Sequence, residues 1–362
     1  GRIFRIAKVK APGVFVMTIT FTRWTACGAA VLALLLTTSA LPTRAQDAET
    51  FYKGKTIDLY IGFFVGAGYD QRGRLLARHM GKYIAGNPTI VPKNMEGAGS
   101  LKLANWLKST APRDGTAFGI IARGAGFDAL FGNQAAAFTG PELNWIGTPS
   151  SETNICAVAA SAGINRFEDT FEKRIIVGAV AGGDSGELPA AMNAVFGSKF
   201  DIVSGYKVSG DVSLAIERGE VQGRCGWSWS SIKNTHQAWV DDNRLKLLLQ
   251  FGFKKHAQLP DVPLVLDIAK DEKQKQLLKL IIARQLFGWP FVAPPGVPAD
   301  RIAILRKAFM QTMEDKEFIA EAAKQKIEVE PVAGEELQRM ITELYATSPE
   351  MVAEAKRLSG AK

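Results

Sequence analysis

Strand-like and helical segments alternate along residues 56–293, and this alternation limits the fold more than any other feature. TIDLYIGF (56–63) alternates apolar and polar residues, and a helical pattern over residues 72–83 follows it. The other segments with strand character are 89–94, 116–122, 174–180, 200–206, 221–229, 246–251 and 287–293. Strands separated by helices are typical of βαβ units. The sequence therefore predicts an α/β protein of mostly parallel sheets flanked by helices, with a mainly helical C-terminal third.

The first 45 residues differ from the rest in charge and hydropathy. They contain six basic residues and no acidic one, and Met17 is the expected translation start after an upstream extension. Arg23 precedes an apolar run over residues 26–41, and Thr43-Arg44-Ala45 has small residues at the two cleavage-site positions. The run is shorter than the ~20 residues that span a bilayer. We expect a signal peptide over residues 1–45, cut after Ala45, rather than a membrane anchor.

The basic charge of the chain comes mostly from this leader. The whole chain has a formal net charge of +8, and the part after residue 45 keeps 38 of the 44 basic residues against all 36 acidic ones. A protein that binds nucleic acid concentrates basic residues on its folded domain. We therefore expect no nucleic-acid partner.

Two cysteines remain after the leader, Cys156 and Cys225. In an oxidising compartment they form either a disulfide or two buried thiols, and the sequence leaves both alternatives open. The three histidines are scattered and no Cys/His cluster is present. Neither a metal site nor a cofactor is predicted.

Three glycine-rich turns each follow a strand and open a helix. They are GAGYD (66–70), EGAGS (96–100) and GGDSGE (182–187), with Asp70, Ser100 and Asp184 as candidate N-caps and Glu187 completing a capping box. The first N–H groups of a helix have no partner within it, and the helix dipole makes them slightly positive. Glycine lets a ligand approach this backbone closely. Three such turns in one chain predict an anion pocket.

Phosphate-bearing ligands and nucleophilic catalysis fit these turns poorly. The dinucleotide fingerprint needs a third glycine where Gln71 stands, and no Walker lysine follows any turn. Gly183-Asp184-Ser185-Gly186 is similar to the segment around a serine-protease nucleophile, but no histidine has a suitable context, since His79 lies within a helical segment. A carboxylate suits backbone donors and needs no lysine. We therefore expect a binding protein and not an enzyme.

The ordered set of motifs resembles the solute receptors of the tripartite tricarboxylate transporter family, the Bug-type periplasmic binding proteins. The resemblance is carried by FYKGKTIDLYIGFFVGAGYDQRGRLLARHM (51–80), NMEGAGS (94–100), RDGTAF (113–118), LPDVP (259–263) and the segment from Trp289 to Pro298. It covers most of the chain after the leader. The chain departs from the family at Gly62, Ala67, Glu96, Ser100 and VQGRCGWSW (221–229).

This resemblance implies a two-lobed periplasmic-binding-protein fold, type II-like, that closes over its ligand in the periplasm. Lobe 1 is expected to comprise residues 46–149 and 253–362, and lobe 2 residues 150–252. Two turns from lobe 1 would bind one carboxylate and the third turn, from lobe 2, would meet the other end of the solute. The implied ligand-binding residues are Phe63, Gly66, Ala67, Gly68, Tyr69, Asp70, Gly97, Ala98, Gly99, Ser100, Gly183, Asp184, Ser185 and Gly186.

Two further site residues follow from their positions at strand ends, which point at the cleft in such sheets. Arg123 would pair with a carboxylate or lie on the surface, and Trp227 would cover the pocket or pack in the core. The expected function is capture of a small organic acid by a monomer and its delivery to two integral-membrane transporter components. The alternatives are a carboxylate sensor for a signalling partner and an enzyme on a doubly wound fold.

Overall fold

The computed structural model of the chain describes residues 48–180 and 184–359. The expected signal peptide, its cleavage site after Ala45 and the expected ligand residue Gly183 lie outside these ranges. The strands are β1 (Thr56–Ile61), β2 (Thr89–Asn94), β3 (Ala117–Ile120), β4 (Asn144–Thr148), β5 (Asn154–Ala159), β6 (Ile175–Val180), β7 (Phe200–Tyr206), β8 (Gly223–Ser228), β9 (Leu245–Phe251), β10 (Phe291–Ala293) and β11 (Val332–Ala333).

Twelve α-helices surround these strands in the described ranges. They are α1 (Ala48–Phe51), α2 (Gly68–Met80), α3 (Leu101–Ser109), α4 (Asp169–Glu172), α5 (Asp184–Phe196), α6 (Ser209–Glu217), α7 (Trp229–Asp241), α8 (Glu272–Phe287), α9 (Ala299–Met313), α10 (Lys316–Lys324), α11 (Gly334–Tyr345) and α12 (Pro349–Ser359). No helix among the described residues is both long and apolar enough to cross a bilayer.

Two separate sheets form the framework. The first has six strands in the order β11-β4-β10-β3-β1-β2, and the second has five in the order β7-β6-β8-β5-β9. The chain leaves the first sheet after β4, builds the whole second sheet, and returns to the first at β10. This topology, with helices flanking both sheets, confirms the predicted two-lobed α/β fold. The residue boundaries of the two domains remain a prediction.

Both sheets are mixed, so the prediction of mostly parallel sheets is too simple. In the first sheet β1 runs parallel to β2 and β3, but β10 runs antiparallel to both β3 and β4. In the second, β6 runs parallel to β7 and β8, but β5 runs antiparallel to β8 and β9. The antiparallel partners β5 and β10 are the strands at which the chain enters a sheet from the other one. The connections from one sheet to the other therefore reverse the strand direction, which repeated βαβ units would keep the same.

The end of α8 packs against the first sheet, and this contact positions part of the site. Phe287 is fully buried and lies edge-on to Trp145 in β4, with ring centroids 4.7 Å apart, and to Phe127, at 5.1 Å. Arg284 and Gln285 lie within the turn that precedes this anchor. Their side chains are therefore held by a helix whose end is fixed in an apolar core.

Cys156 in β5 and Cys225 in β8 are joined by a disulfide in the structure. The two strands are antiparallel neighbours, and both cysteines fall within an irregular part of their ladder. Both residues are fully buried. Of the two alternatives that the sequence leaves open, the structure has the bonded one.

Candidate functional site

The starts of three helices meet around residues 122 and 123, just after β3. The Ala122 N–H donates to Ser100 Oγ (2.7 Å), which precedes α3. The Arg123 N–H donates to Tyr69 Oη (3.2 Å), in the first turn of α2. The Arg123 guanidinium donates from Nη2 to Asp184 Oδ2 (3.3 Å), at the start of α5. The three glycine-rich turns therefore lie near one another and not dispersed over the surface.

The second turn has an unusual backbone. Gly97, Ala98, Gly99 and Ser100 have φ values of 146°, 46°, 60° and 74°. Ala98 and Ser100 are not glycines, and a left-handed conformation costs such residues roughly 1–2 kcal/mol each. Strain of this kind persists only where the surroundings enforce it, and it concentrates at functional sites. Runs of turn residues like these can direct successive N–H groups at one anion.

Gly62 allows this turn to approach β1. A Cβ at residue 62 would overlap the Ser100 Cβ. Gly62 is one of the positions at which the chain departs from the family motif, so this departure fits the close contact between the end of β1 and the second turn.

A cavity of about 720 Å³ adjoins the second turn. It is lined by Ala98, Gly99, Ala122, Gly124, Ala125, Phe127, Asp128, Phe131, Gly132, Asn133, Gln134, Glu187, Leu280, Ala283, Arg284 and Lys356. The lining thus combines the second turn, the segment after β3, the first turn of α5 and one face of α8. Its size falls within the range of small-molecule sites. The residues of the first turn do not line it.

The first turn is closed by its own aspartate. The Gly66 N–H donates to Asp70 Oδ2 (2.8 Å), and Arg74 Nε and Asn94 Nδ2 donate to the same carboxylate at 3.0 and 2.8 Å. Burial opposes ionisation of Asp70, but Arg74, the Gly66 N–H and Asn94 hold its pKa below the usual value. Asp70 is therefore not an N-cap as predicted, because Ala67 occupies the N-cap position without a side-chain bond.

Phe63 and Tyr69 belong to a stack of planar groups. The two rings are parallel with centroids 4.0 Å apart, Trp289 lies 4.5 Å from Tyr69, and the Arg72 guanidinium lies 3.6 Å over the Trp289 ring. Gly68 packs beside this stack, since a Cβ there would meet Trp289 at 3.4 Å. The stack fixes the first turn of α2. Whether Phe63 and Tyr69 contact a ligand remains a prediction.

Asp184 is the most heavily hydrogen-bonded acid of the site. Its Oδ2 accepts from Asn154 Nδ2 (2.9 Å), Gln285 Nε2 (3.0 Å) and Arg123 Nη2. Arg284 Nη1 lies 3.4 Å from its Oδ1. Burial opposes the charge, but Arg123 and Arg284 together with the two amides hold the pKa of Asp184 below its usual range. The same pairing outweighs burial at Arg123 and raises its pKa.

The predicted capping box in the third turn is not formed. Glu187 Oε2 accepts from Arg284 Nη2 at 2.5 Å, and the Asp184 side chain is taken up by the four groups above. Burial raises the pKa of Glu187, although Arg284 opposes this. Ser185 Oγ accepts from the Val180 N–H at 2.9 Å, and Gly186 lies close to Ala179 in β6. Ser185 and Gly186 therefore join α5 to β6.

Glu152 is a second buried acid near the site. It lies in the segment that connects β4 of the first sheet to β5 of the second. Its carboxylate accepts a hydrogen bond from Ser230 Oγ at 3.3 Å. Burial raises its pKa, and Arg123 and Arg72 oppose this shift. Glu152 therefore balances part of the charge of Arg123 and Arg72.

Trp227 does not face the cavity. It is 1% exposed and packs edge-on to His236 and Trp239 of α7, with ring centroids 5.0 and 6.3 Å away. This position corrects the prediction of a ligand-covering role and fits the alternative of core packing. Arg123 is likewise not a surface residue, because its side chain is paired with Asp184 at the junction of the three turns.

The sequence reasoning missed four polar residues of the site: Asn154, Glu152, Arg284 and Gln285. Gln285 is fully buried and Arg284 lines the cavity. Both interrupt the apolar run LLKLIIARQLF, whose other residues from Leu280 onward are all buried. Polar residues inside such a run need buried partners. The polar residues within this apolar run were therefore the sequence feature that could have identified Arg284 and Gln285 as site residues.

The described residues contain one group that could hold a metal ion: His79, Asp315 and Glu317. Lys82 Nζ lies 2.6 Å from Asp315 and 2.9 Å from Glu317. An ammonium group therefore already supplies the positive charge there. His79 lies in the last turn of α2, at the other end of that helix from the first glycine-rich turn.

Comparison with known proteins places the fold. No family model matches the chain. A curated protein of Cupriavidus necator, the UPF0065 protein in the gbd 5' region, is 27% identical over 314 residues, covering 82% of this chain and 86% of the relative. A TctC solute-binding protein from Polaromonas has a TM-score of 0.67 at 17% identity and covers 84% of this chain and 99% of its own. MatC from Rhodopseudomonas palustris, solved with bound malate, has a TM-score of 0.53 at 16% identity, with 83% and 99% coverage.

These similarities define the class: the chain has the two-lobed fold of the periplasmic solute-binding proteins. The fold that the resemblance of the sequence motifs implies is confirmed by the similarity to the folds of TctC and MatC.

Proposed function

We propose that this chain is a periplasmic solute-binding receptor that captures a small organic carboxylate between its lobes. It delivers the acid to a tripartite tricarboxylate-type transporter made of two integral-membrane components, and it performs no chemistry on its ligand. The expected mechanism is closure of the lobes over the anion, which places it in a lower dielectric where weak dipoles act more strongly.

One observation carries this proposal: the strained turn at residues 97–100 lines the cavity. Helix starts and left-handed turns supply N–H donors for an anion. Other lining residues come from α8, in the expected lobe 1, and Glu187 comes from α5, in the expected lobe 2. An acid bound there would contact both parts of the fold, as closure requires. The malate named for MatC, a protein of the same fold, supports a carboxylate as the ligand class.

A thermal-shift screen of carboxylic acids tests the ligand class. We expect a cognate acid to raise the melting temperature of the chain that begins at Gln46, and the corresponding uncharged amide to leave it unchanged, because only the acid is neutralised by N–H donors. Equal shifts from an acid and its amide would contradict the anion argument.

A matched pair of glycine variants tests the site. Gly99 and Gly163 have φ values of 60° and 66°, and a Cβ at either has no neighbour within 4 Å. Leucine at either position therefore costs a similar strain, roughly 1–2 kcal/mol. Only Gly99→Leu places its side chain in the cavity. We expect Gly99→Leu to abolish the ligand-induced shift and Gly163→Leu to retain it, and retention by both would rule out this cavity.

A further inference from the structure

We propose that the cleft selects a monocarboxylic acid with an apolar body, and that Asp184 is the residue that excludes a second carboxylate. This inference rests on the proposed function, because it concerns which acids the receptor takes.

Asp184 engages four donor groups beside the cavity, and one of them, Arg284, lines it. Arg123, Asn154 and Gln285 all donate to its Oδ2, and Arg284 lies beside its Oδ1. These donors come from the segment after β3, from β5 and from α8. A carboxylate offers about four lone-pair sites, so these four groups saturate it. The aspartate therefore acts as a resident anion at the junction of the three turns.

The charges on the cavity wall add to this effect. The acids Asp128 and Glu187 line the cavity together with the cations Arg284 and Lys356. Arg284 is already paired with Glu187 at 2.5 Å, and Lys356 Nζ donates to the Phe131 carbonyl. One ligand carboxylate can be met by the second turn. Another would face Asp128 and Glu187 with its nearest guanidinium already neutralised, and like charges at short range are strongly unfavourable.

Part of the remaining wall is apolar, and the polar residues Asn133 and Gln134 also line it. Ala122, Ala125, Phe127, Phe131, Leu280 and Ala283 line the cavity beside the second turn. An aliphatic or aromatic body would be removed from water there, at about 25 cal/mol per Å² of buried apolar surface. Size, charge and lining together favour an acid with one carboxylate and an apolar remainder.

Matched acids test the inference with the chain that begins at Gln46. Straight-chain monocarboxylates and dicarboxylates of four to ten carbons are titrated as pairs by calorimetry, with benzoate and terephthalate as an aromatic pair. We expect the wild-type protein to bind the monocarboxylate of the best pair at least tenfold more tightly than the dicarboxylate. In Asp184→Asn this preference should shrink by at least tenfold, because Arg123 and Arg284 lose their resident anion.

Asp201→Asn is the matched control. Asp201 lies in β7 and forms an exposed ion pair with Arg174, so this substitution also removes one negative charge from an ion pair. We expect this variant to keep the wild-type preference. A wild-type preference for dicarboxylates, or an unchanged ratio in a folded Asp184→Asn protein, would overturn the inference and leave the carboxylate receptor standing. If Asp184→Asn does not fold, the wild-type ratio alone decides. Failure of every acid to bind would instead overturn the proposed function.

Discussion

Asp70 illustrates how a residue of the candidate site can act without touching a ligand. It is 2% exposed and accepts from the Gly66 N–H, Arg74 and Asn94. Through Gly66 it closes the first turn, and through Asn94 it joins that turn to the end of β2. Its carboxylate therefore fixes the backbone of the first turn, whose residues do not themselves line the cavity.

Asp70→Ala should destabilise the protein by about 2 kcal/mol, because it leaves three buried or half-buried donors without their acceptor. It should also weaken carboxylate binding by loosening the turn. Urea denaturation and calorimetry measure the two effects. Glu343→Ala is a suitable control, since it breaks an exposed i,i+4 pair with Arg339 that is worth about 0.3–0.5 kcal/mol. Similar losses in the two variants, or full affinity in Asp70→Ala, would contradict this role.

Among the elements, two strands were predicted from sequence with the bounds that the structure has. The predicted segments 89–94 and 200–206 coincide with β2 and β7. The segment 287–293 contains only the three residues of β10, because α8 continues to Phe287 and Pro290 follows. Proline cannot donate to a ladder and is disfavoured inside a strand.

Side-chain roles at the helix starts were less predictable than the starts themselves. Asp70, Ser100 and Asp184 all lie at or near a helix start, as the glycine turns predicted. None of them caps its helix, because each finds a partner from a distant segment: Asn94, Ala122 and Arg123 respectively. Local sequence cannot reveal such contacts, since they depend on tertiary packing. The same reason hides Asn154 and Gln285, which become site residues only through Asp184.

The disulfide between Cys156 and Cys225 joins the neighbouring strands β5 and β8. It closes a loop with a sequence separation of 69 residues. Loops of this length correspond to roughly 4 kcal/mol in the chain-entropy model. We expect no free thiol in the denatured, non-reduced chain that begins at Gln46, and a marked fall in melting temperature for Cys156→Ala/Cys225→Ala. Thiol titration with mass spectrometry checks the first point, and two reactive thiols would refute the bond.

For the molecule as a whole, the dependence of the unfolding free energy on pH follows from two kinds of buried carboxyl group, those with a lowered and those with a raised pKa. Asp70 and Asp184 have lowered pKa values in the folded protein, so their stabilisation is present above the unfolded pKa of about 3.9 and is lost below it. Glu152 and Glu187 have raised pKa values. Their contribution is largest below the unfolded pKa of about 4.3 and falls as pH rises through the folded pKa.

Glu152 and Glu187 should therefore favour a rise in the unfolding free energy on acidification, and His236, whose pKa is lowered by burial, should oppose it. Asp70 and Asp184 should make the unfolding free energy fall below about pH 4. Urea denaturation from pH 3 to 8 measures this profile. Glu152→Gln should flatten the rise, because the neutral amide does not titrate, and Asp184→Asn should reduce the fall at acid pH. An unchanged pH profile in a folded Glu152→Gln protein would be inconsistent with a raised pKa of Glu152.

Arg123 has a wider consequence for how this molecule tolerates change. Its main chain and side chain contact the helix starts at Tyr69 and Asp184, and the neighbouring Ala122 holds the one at Ser100. Effects of substitutions that share a partner do not add. Engineered replacements at these three helix starts should therefore show epistasis whenever residue 123 is also altered. A redesign of the receptor for another acid would have to vary this group together and not one position at a time.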